Sequence, residues 1–219
     1  MATKPRLLDL FCCAGGATKG YQRAGFYVVG VDNRPQPHYC GDEFVQADAL
    51  EYAAAHGREF DAIHASPPCQ AYSTFTPLTY RRNHADLIAS TRELLQVTGK
   101  PYVIENVGGA RYLLNNPFML CGSMVGLPIW RHRYFELWPS ILLLVPPCRH
   151  DFKPVLITDH GGPNANGPGK PRKRTPVSVK RDAIGIDWMT EAELTEAIPP
   201  AYTFYIGTQL MQRLMVVRS

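Results

Sequence analysis

A cysteine directly follows two prolines in residues 66–70, which read Ser-Pro-Pro-Cys-Gln. Each proline ring fixes its own backbone and pushes the preceding residue into an extended conformation, so Cys69 should be held rigidly. A thiol held in this way is a candidate nucleophile. Because a free thiol has a pKa of about 8.5, attack at neutral pH needs an electropositive surrounding or activation of the substrate. Alternatively, Cys69 is a small apolar side chain of the core.

An acid and two arginines are candidates to act beside that thiol. Glu105 follows the apolar residues 102–104 and is either exposed to solvent or held as an acid for proton transfer. Arg131 and Arg133 are two residues apart, so on a strand both guanidinium groups lie on one face. Such groups bind a carbonyl or a phosphate, or they pair with acids at the surface.

A glycine pair and two acids indicate a site for a nucleoside. Gly15 and Gly16 allow a ligand to approach the backbone where a helix begins. Asp32 lies 16 residues beyond Gly16, where a carboxylate can bind both hydroxyls of a ribose. Asp48 either accepts from an adenine amino group or caps the following helix. Since the sequence has neither G-x-G-x-x-G nor G-x-x-x-x-G-K-[ST], we expect an adenosine-containing cofactor rather than a dinucleotide or a triphosphate.

The cysteine content indicates reduced thiols. Six cysteines in 219 residues are too few for a disulfide scaffold, and Cys12 and Cys13 are adjacent. Cys148 and His150 are possible metal ligands, but no second pair at a recognisable spacing accompanies them in the sequence. We therefore predict no metal site.

These candidate residues fall at the ends of predicted strands. Short apolar runs alternate with helical patterns, which is typical of a parallel sheet covered by helices. Strands are predicted at 6–11, 27–31, 44–46, 60–66, 102–106, 133–137 and 141–145, and helices at 18–24, 85–98, 190–197 and 207–217. Ligands of such sheets bind beyond the carboxyl ends of the strands. The sequence therefore predicts a doubly wound, mostly parallel, Rossmann-like α/β fold with a binding site at that edge.

Positive charge is concentrated in residues 153–182. This stretch has seven Lys or Arg and two Asp, a net charge of +5, whereas the rest of the chain carries −1. Its five prolines and four glycines predict a loop rather than a packed element. The loop is either a solvated insert or an arm that follows the phosphates of a nucleic acid. The residues predicted to bind DNA are Lys170, Arg172, Lys173 and Arg174.

The composition restricts the class of protein further. With 45% hydrophobic and 19% charged residues, the chain is not expected to be disordered. The apolar run 141–145 is too short to cross a bilayer, and residues 1–6 do not resemble a signal peptide. We therefore expect a cytoplasmic protein that does not associate with membranes.

Four motifs occur in an order that resembles the DNA (cytosine-5)-methyltransferases. They are Asp-Leu-Phe-Cys-Cys-Ala-Gly-Gly at 9–16, Pro-Pro-Cys-Gln at 67–70, Glu-Asn-Val at 105–107 and Arg-His-Arg at 131–133. The resemblance covers residues 7–137 and resumes weakly at 205–209. The chain departs from the family's pattern in having Cys13 for Gly, Ile129 for Gln and Thr208 for Asn. Only about forty residues separate positions 145 and 186, so the target-recognition region is much reduced, as in short bacteriophage or bacterial members.

The resemblance implies methyl transfer from S-adenosylmethionine to C5 of cytosine in DNA, with S-adenosylhomocysteine as a product. Cys69 would add to C6 of a flipped cytosine, while Glu105 would contact N3 and the exocyclic amine. Arg131 and Arg133 would orient the pyrimidine and its phosphate. Phe11 would stack on the adenine of the cofactor. The other cofactor-binding residues that the resemblance implies are Asp9, Gly15, Gly16, Asp32, Asn33, Asp48, Ala49, Pro68 and Thr208.

The resemblance also predicts the organisation and the partner of the chain. Residues 1–145 would form the catalytic and cofactor-binding domain, 146–185 a basic target-recognition loop, and 186–219 helices that return to the first part. A monomer acting on double-stranded DNA in a bacterial or phage-infected cytoplasm is expected. Two alternatives stay open: the same chemistry on RNA or a free pyrimidine nucleotide, and a degenerate DNA-binding protein. The basic loop argues against a free nucleotide, and the retained Cys69 argues against a degenerate protein.

Overall fold

The computed structural model describes residues 4–68, 86–141, 143–158 and 174–218. Its strands are β1 (Arg6–Leu10), β2 (Tyr27–Asp32), β3 (Glu43–Gln46), β4 (Ala62–Ala65), β5 (Tyr102–Asn106), β6 (Phe118–Leu120) and β7 (Arg133–Trp138). In the described ranges they form one seven-stranded sheet in the order β3-β2-β1-β4-β5-β7-β6. Strands β1 to β5 pair in parallel, and β7 pairs antiparallel with both β5 and β6.

Local sequence signals account for several helix ends. The helices are α1 (Gly16–Arg23), α2 (Ala49–His56), α3 (Ile88–Thr98), α4 (Val177–Ile184), α5 (Glu191–Glu196) and α6 (Pro200–Arg218). Short 3-10 turns lie at Gly57–Glu59, Gly108–Leu113 and Gly122–Val125. Asp48 caps α2 by accepting from two backbone N–H groups, and the left-handed Gly99 ends α3. A reciprocal capping box between Thr190 and Glu193 starts α5.

Apolar side chains fill the space on both faces of the sheet. Leu7 and Leu8 are consecutive in β1 but belong to different buried clusters, because successive strand side chains point to opposite faces. The cluster around Leu8 includes residues of α2 and α3, and the cluster around Leu7 includes residues of α1 and α6. The predicted doubly wound α/β fold is therefore confirmed.

The contact between α1 and α6 requires glycines. A Cβ atom on Gly20 would lie 2.0 Å from the Thr203 hydroxyl, and one on Gly207 would lie 2.8 Å from the Ala24 Cβ. These glycines let the two helix backbones approach each other. Helix α6 begins at Pro200, because proline suits the first position of a helix, and Gly207 lies inside it. The prediction of a helix start at position 207 is wrong.

Three further sequence predictions need correction. Residue 141 and residues 143–145 are not in a strand, and the strand β6 that pairs with β7 was not predicted. The predicted helix 85–98 begins at Ile88. Part of the basic stretch is not a loop, because Val177–Ile184 forms a helix whose Ala183 and Ile184 are buried in a third apolar cluster. Among the described residues, no helix combines the length and apolar composition needed to cross a bilayer.

Candidate active site

A cavity of about 780 Å³ lies at the carboxyl edge of the parallel strands. Asp9 and Phe11 line it at the end of β1, Pro67 and Pro68 line it after β4, and Glu105 lines it on β5. The opposite wall consists of residues 129–133, 154–158 and 195–198 together with Met189 and Glu193. Parallel strands end at a common edge, so residues far apart in the chain meet there.

Glu105 and Arg133 form a buried ion pair in this cavity. The Arg133 Nε lies 2.9 Å from the Glu105 Oε1, and the two side chains are 14% and 7% exposed. Burial raises the pKa of Glu105, while the guanidinium groups of Arg133 and Arg131 and a hydrogen bond with Ser66 oppose the rise. The protonated form of Glu105 is therefore more accessible than that of an exposed glutamate.

Arg131 reaches the cavity without belonging to a strand. It precedes β7, which begins at Arg133, so the predicted strand geometry applies to only one of the two arginines. The Arg131 Nη2 donates to the Thr195 carbonyl at 2.6 Å, and the Tyr202 hydroxyl donates to the Arg131 carbonyl. Both arginines nevertheless line the cavity, because the loop before β7 turns toward the sheet edge.

A buried histidine that no sequence motif indicated is connected to Glu105 through Ser66. The His64 ring on β4 is 2.9 Å from the Tyr21 hydroxyl through Nδ1 and 2.8 Å from the Ser66 hydroxyl through Nε2. Burial lowers the pKa of His64 to about 3, so the ring stays neutral. Since Ser66 also bonds with Glu105, a polar chain runs from the sheet interior to the acid.

Asp9 is a buried carboxyl group with an unused acceptor. The Thr18 hydroxyl donates to its Oδ2 at 2.5 Å, whereas Oδ1 is buried and has no hydrogen-bond partner among the described residues. Burial is the main cause that raises the pKa of Asp9 to about 7. Its position in the cavity wall makes it a candidate acceptor for a cationic or hydrogen-bond-donating ligand.

The turn between β1 and α1 contains three left-handed residues. Phe11 has a φ of 60°, Cys13 of 45° and Gly15 of 84°. A side chain is disfavoured in this conformation, which accounts for glycine at Gly15 and makes Cys13 a departure from the glycine of the resembled pattern. The Asp32 Oδ2 accepts from the Cys13 N–H at 3.1 Å and holds the turn. Gly16 packs against the Ile198 carbonyl, which would lie 2.6 Å from a Cβ atom.

Three predicted cofactor-binding residues follow β2 and β3: Asn33 comes after β2, and Asp48 and Ala49 come after β3. The Asp48 Oδ1 accepts from the N–H groups of the helix start, which is the capping role left open by the sequence. Asn33 is exposed, and its carbonyl accepts from the Gln46 amide at 3.3 Å. Ala49 is buried at the first position of α2.

The C-terminal part of the chain contributes to the cavity through the segment before α6. Thr208 lies inside α6, where its hydroxyl donates to the Tyr205 carbonyl at 2.8 Å, and it is not among the residues that line the cavity. Residues 195–198, which connect α5 to α6, form the wall instead. The Trp188 indole N–H also donates to the Ala14 carbonyl at 2.8 Å and ties the C-terminal segment to the turn after β1.

Several predicted functional residues lie outside the described ranges: Cys69, Lys170, Arg172 and Lys173. Arg174 is described, is largely exposed, and pairs with Glu191 at 3.0 Å. Two other basic residues of the 153–182 stretch point inward. Lys180 is buried and pairs with Glu191 at 2.9 Å, and Arg181 donates to the Met189 carbonyl.

The backbone arrangement is similar to two solved methyltransferase structures. The Entamoeba histolytica methyltransferase EhMeth superposes with a TM-score of 0.57 at 13% identity, covering 100% of both chains. A presumed DNA modification methyltransferase encoded within a prophage in E. coli superposes with a TM-score of 0.56 at 15% identity, covering 97% of this chain and 99% of that one. The chain has the Rossmann-like fold of the S-adenosylmethionine-dependent methyltransferases.

Part of the sequence is also similar to a curated methyltransferase. The type II methyltransferase M.XorII of Xanthomonas oryzae pv. oryzae is 28% identical over 123 residues, which are 49% of this chain and 29% of that protein. The matched region thus spans less than a third of the curated relative's length. No family model matches the sequence.

Proposed function

We propose that this protein methylates C5 of cytosine in DNA, with S-adenosylmethionine as the methyl donor and Cys69 as the nucleophile. The observation that carries the proposal is the buried pair of Glu105 and Arg133 in the same cavity as Pro67 and Pro68, the residues directly before Cys69. A carboxyl group with a raised pKa can donate a proton to N3 of cytosine and accept from the exocyclic amine. Among the four DNA bases, only cytosine combines this acceptor and amine with a pyrimidine C5–C6 double bond that a thiolate can attack.

The residues at the end of β1 fit the proposed cofactor. S-adenosylmethionine, when bound, supplies a methyl group activated by a sulfonium centre. Its positive charges suit the unpartnered Asp9 Oδ1, which is buried in the cavity wall. Phe11 offers an aromatic ring in the same wall, and the Asp32 carboxylate next to the turn offers acceptors for ribose hydroxyls.

Cys69, Glu105 and Arg133 have separate roles in the proposed reaction of the cytosine. The Cys69 thiolate forms a bond to C6, and the electron pair of the C5–C6 double bond makes C5 nucleophilic. Glu105 donates its proton to N3 as this charge develops, and Arg133 stabilises the carboxylate that is left. After C5 has gained the methyl group, a solvent base removes the C5 proton. The C5–C6 double bond returns, the thiolate leaves with its electron pair, and Glu105 recovers the N3 proton.

DNA is the proposed substrate because of the charge around this chemistry. The 153–182 stretch carries seven basic side chains, and the described Lys153 and Arg174 in it are exposed. Lys180 and Arg181 are engaged inside the protein and are not available to phosphates. The proposed phosphate-binding residues are Lys170, Arg172, Lys173 and Arg174. A stretch of this length offers few side chains for base edges, so we expect a recognition site of about two to four base pairs.

Incubation with labelled S-adenosylmethionine and separate samples of double-stranded DNA, RNA and dCMP tests the substrate. Label should enter DNA, and bisulfite sequencing should locate it at cytosine C5. Label that enters only RNA or dCMP, or that is found on adenine, would refute the proposal.

Two substitutions test the roles of the residues. Cys69→Ser should abolish both turnover and covalent trapping on DNA that contains 5-fluorocytosine, while cofactor affinity stays unchanged. Glu105→Gln should reduce turnover by about 10²–10⁴-fold, the usual contribution of general acid catalysis. Glu59→Gln, at an exposed acid paired only with His56 in the described contacts, is the matched control and should retain turnover. A covalent adduct formed by Cys69→Ser would remove this residue from the mechanism.

A further inference from the structure

Two cysteines and two histidines converge beside the cavity, and one of them, His132, lines it. The ligand atoms of Cys121, His132, Cys148 and His150 all lie within 4.8 Å of one another. The Cys148 Sγ is 3.1 Å from the His150 Nε2 and 3.5 Å from the His132 Nε2. The Cys121 Sγ is 3.5 Å from the His150 Nε2. His150 therefore presents Nε2 to both sulfurs, and His132 presents Nε2 to the Cys148 sulfur.

These separations match the edges of a tetrahedron around a zinc ion. Bonds of about 2.3 Å to sulfur and about 2.0–2.1 Å to nitrogen, at tetrahedral angles, place sulfur and nitrogen about 3.5–3.6 Å apart. Of the four sulfur–nitrogen pairs, Cys121 with His150 and Cys148 with His132 already have this separation, Cys148 with His150 is shorter, and the fourth lies within 4.8 Å.

Strand pairing sets the first two ligands side by side. In the antiparallel pair of β6 and β7, Leu120 is opposite Arg133. Cys121 follows Leu120 and His132 precedes Arg133, so the next pair of positions at this end of the hairpin brings the thiol and the imidazole together. This neighbourhood depends on the register of the two strands and not on spacing along the chain.

The second two ligands come from the extended segment 143–158, which other contacts hold in place. The Trp130 ring stacks on the His150 ring with centroids 4.6 Å apart. The Ser123 hydroxyl lies 3.4 Å from the Cys121 Sγ and 3.7 Å from the Cys148 Sγ, and it accepts from the Arg149 N–H at 3.1 Å. A hydroxyl between two sulfurs is the kind of outer contact that stabilises bound thiolates.

We propose that these four side chains bind one Zn²⁺ in a closed, structural Cys₂His₂ site. Binding displaces the thiol protons of Cys121 and Cys148 to solvent, so that two thiolates neutralise the ion and two neutral imidazoles complete its coordination. Four protein ligands leave no open position, which excludes a catalytic role for the metal. The mixed sulfur and nitrogen donors suit Zn²⁺ rather than Mg²⁺ or Ca²⁺, which prefer oxygen.

The proposed zinc site would stabilise one side of the cavity. His132 lies between Arg131 and Arg133, and residues 154–158 continue from the ligands Cys148 and His150 into the cavity wall. A zinc ion there joins the start of β7 to this wall. The proposal does not depend on the methylation reaction, since a metal site holds the two arginines and the wall whatever the substrate is.

The metal content of the purified full-length chain is the decisive measurement. Elemental analysis by mass spectrometry should find one zinc per chain, and replacement by Co²⁺ should produce the visible absorption of tetrahedral cobalt with thiolate ligands. Cys148→Ser and His150→Ala should each weaken zinc affinity by more than the roughly 10–100-fold that loss of an outer contact costs. Cys40→Ser changes a thiol outside the cluster and should retain one zinc per chain.

Two results would overturn the proposal. One is wild-type protein that binds no zinc at stoichiometric concentration after reduction and gives no tetrahedral cobalt spectrum. The other is a zinc content that Cys148→Ser and His150→Ala leave unchanged. The wild-type measurement is informative even if a ligand variant fails to fold.

Discussion

Replacing Asp9 with asparagine should remove a large pH dependence of the folding stability. Asp9 is 1% exposed near the end of β1, and burial is the main cause that raises its pKa from 3.8 to about 7. The hydrogen bond from the Thr18 hydroxyl opposes burial without cancelling it. The folded protein therefore retains a proton that the unfolded chain releases over this pH range.

The sign and the size follow from this difference in proton binding. The contribution of Asp9 to stability is fully present below pH 3.8, where both states are protonated, and it is lost as the pH rises through about 7. The difference between the two pKa values corresponds to about 4 kcal/mol in total. Of this amount, about 2–3 kcal/mol should be lost between pH 5 and pH 8.

Urea unfolding at several pH values between 5 and 8, without S-adenosylmethionine, measures the effect. The free energy of unfolding of the wild type should fall with pH by the stated amount, and that of Asp9→Asn should lack this part of the decrease. The asparagine carbonyl can still accept from the Thr18 hydroxyl. A change in the free energy of unfolding that is the same at every pH can therefore be separated from a change in its slope against pH. Asp42→Asn, at an exposed carboxylate, should keep the wild-type slope. Equal slopes for the wild type and Asp9→Asn would refute the reasoning.

Two further substitutions test the cofactor site and the basic stretch. Asp32→Ala should weaken S-adenosylmethionine binding by about 1–3 kcal/mol in calorimetry without DNA, because hydrogen bonds to a charged acceptor are lost. Unchanged binding would leave Asp32 with the structural role of accepting from the Cys13 and Arg34 N–H groups. Joint neutralisation of the proposed phosphate-binding residues should lower DNA affinity similarly for all sequences and reduce the salt slope by about 0.9 per phosphate contact. If the wild type has a long, strict recognition sequence and this variant loses it, these side chains contact bases and the prediction is wrong. The residues changed in the variant are Lys170, Arg172, Lys173 and Arg174.

The sequence alone predicted the features that depend on local pattern. The alternation of short apolar runs with helical patterns indicated the parallel strands, and parallel strands must end at one edge. Asp9 and Glu105 were therefore expected at the same site before any contact was known, and both line the cavity. The capping role of Asp48 was likewise one of two interpretations available from its position before a helix.

Only the tertiary structure decided the features that depend on pairing between distant segments. The register of β6 and β7 brings Cys121 beside His132, and no periodicity in the sequence records that register. Residues 195–198 line the cavity and Thr208 does not, because Thr208 lies inside α6, which Gly20 and Gly207 let dock closely on α1. Local pattern specifies which residues share a face of one element. Which elements meet is decided by the burial of whole faces against each other, and that is a property of the folded chain.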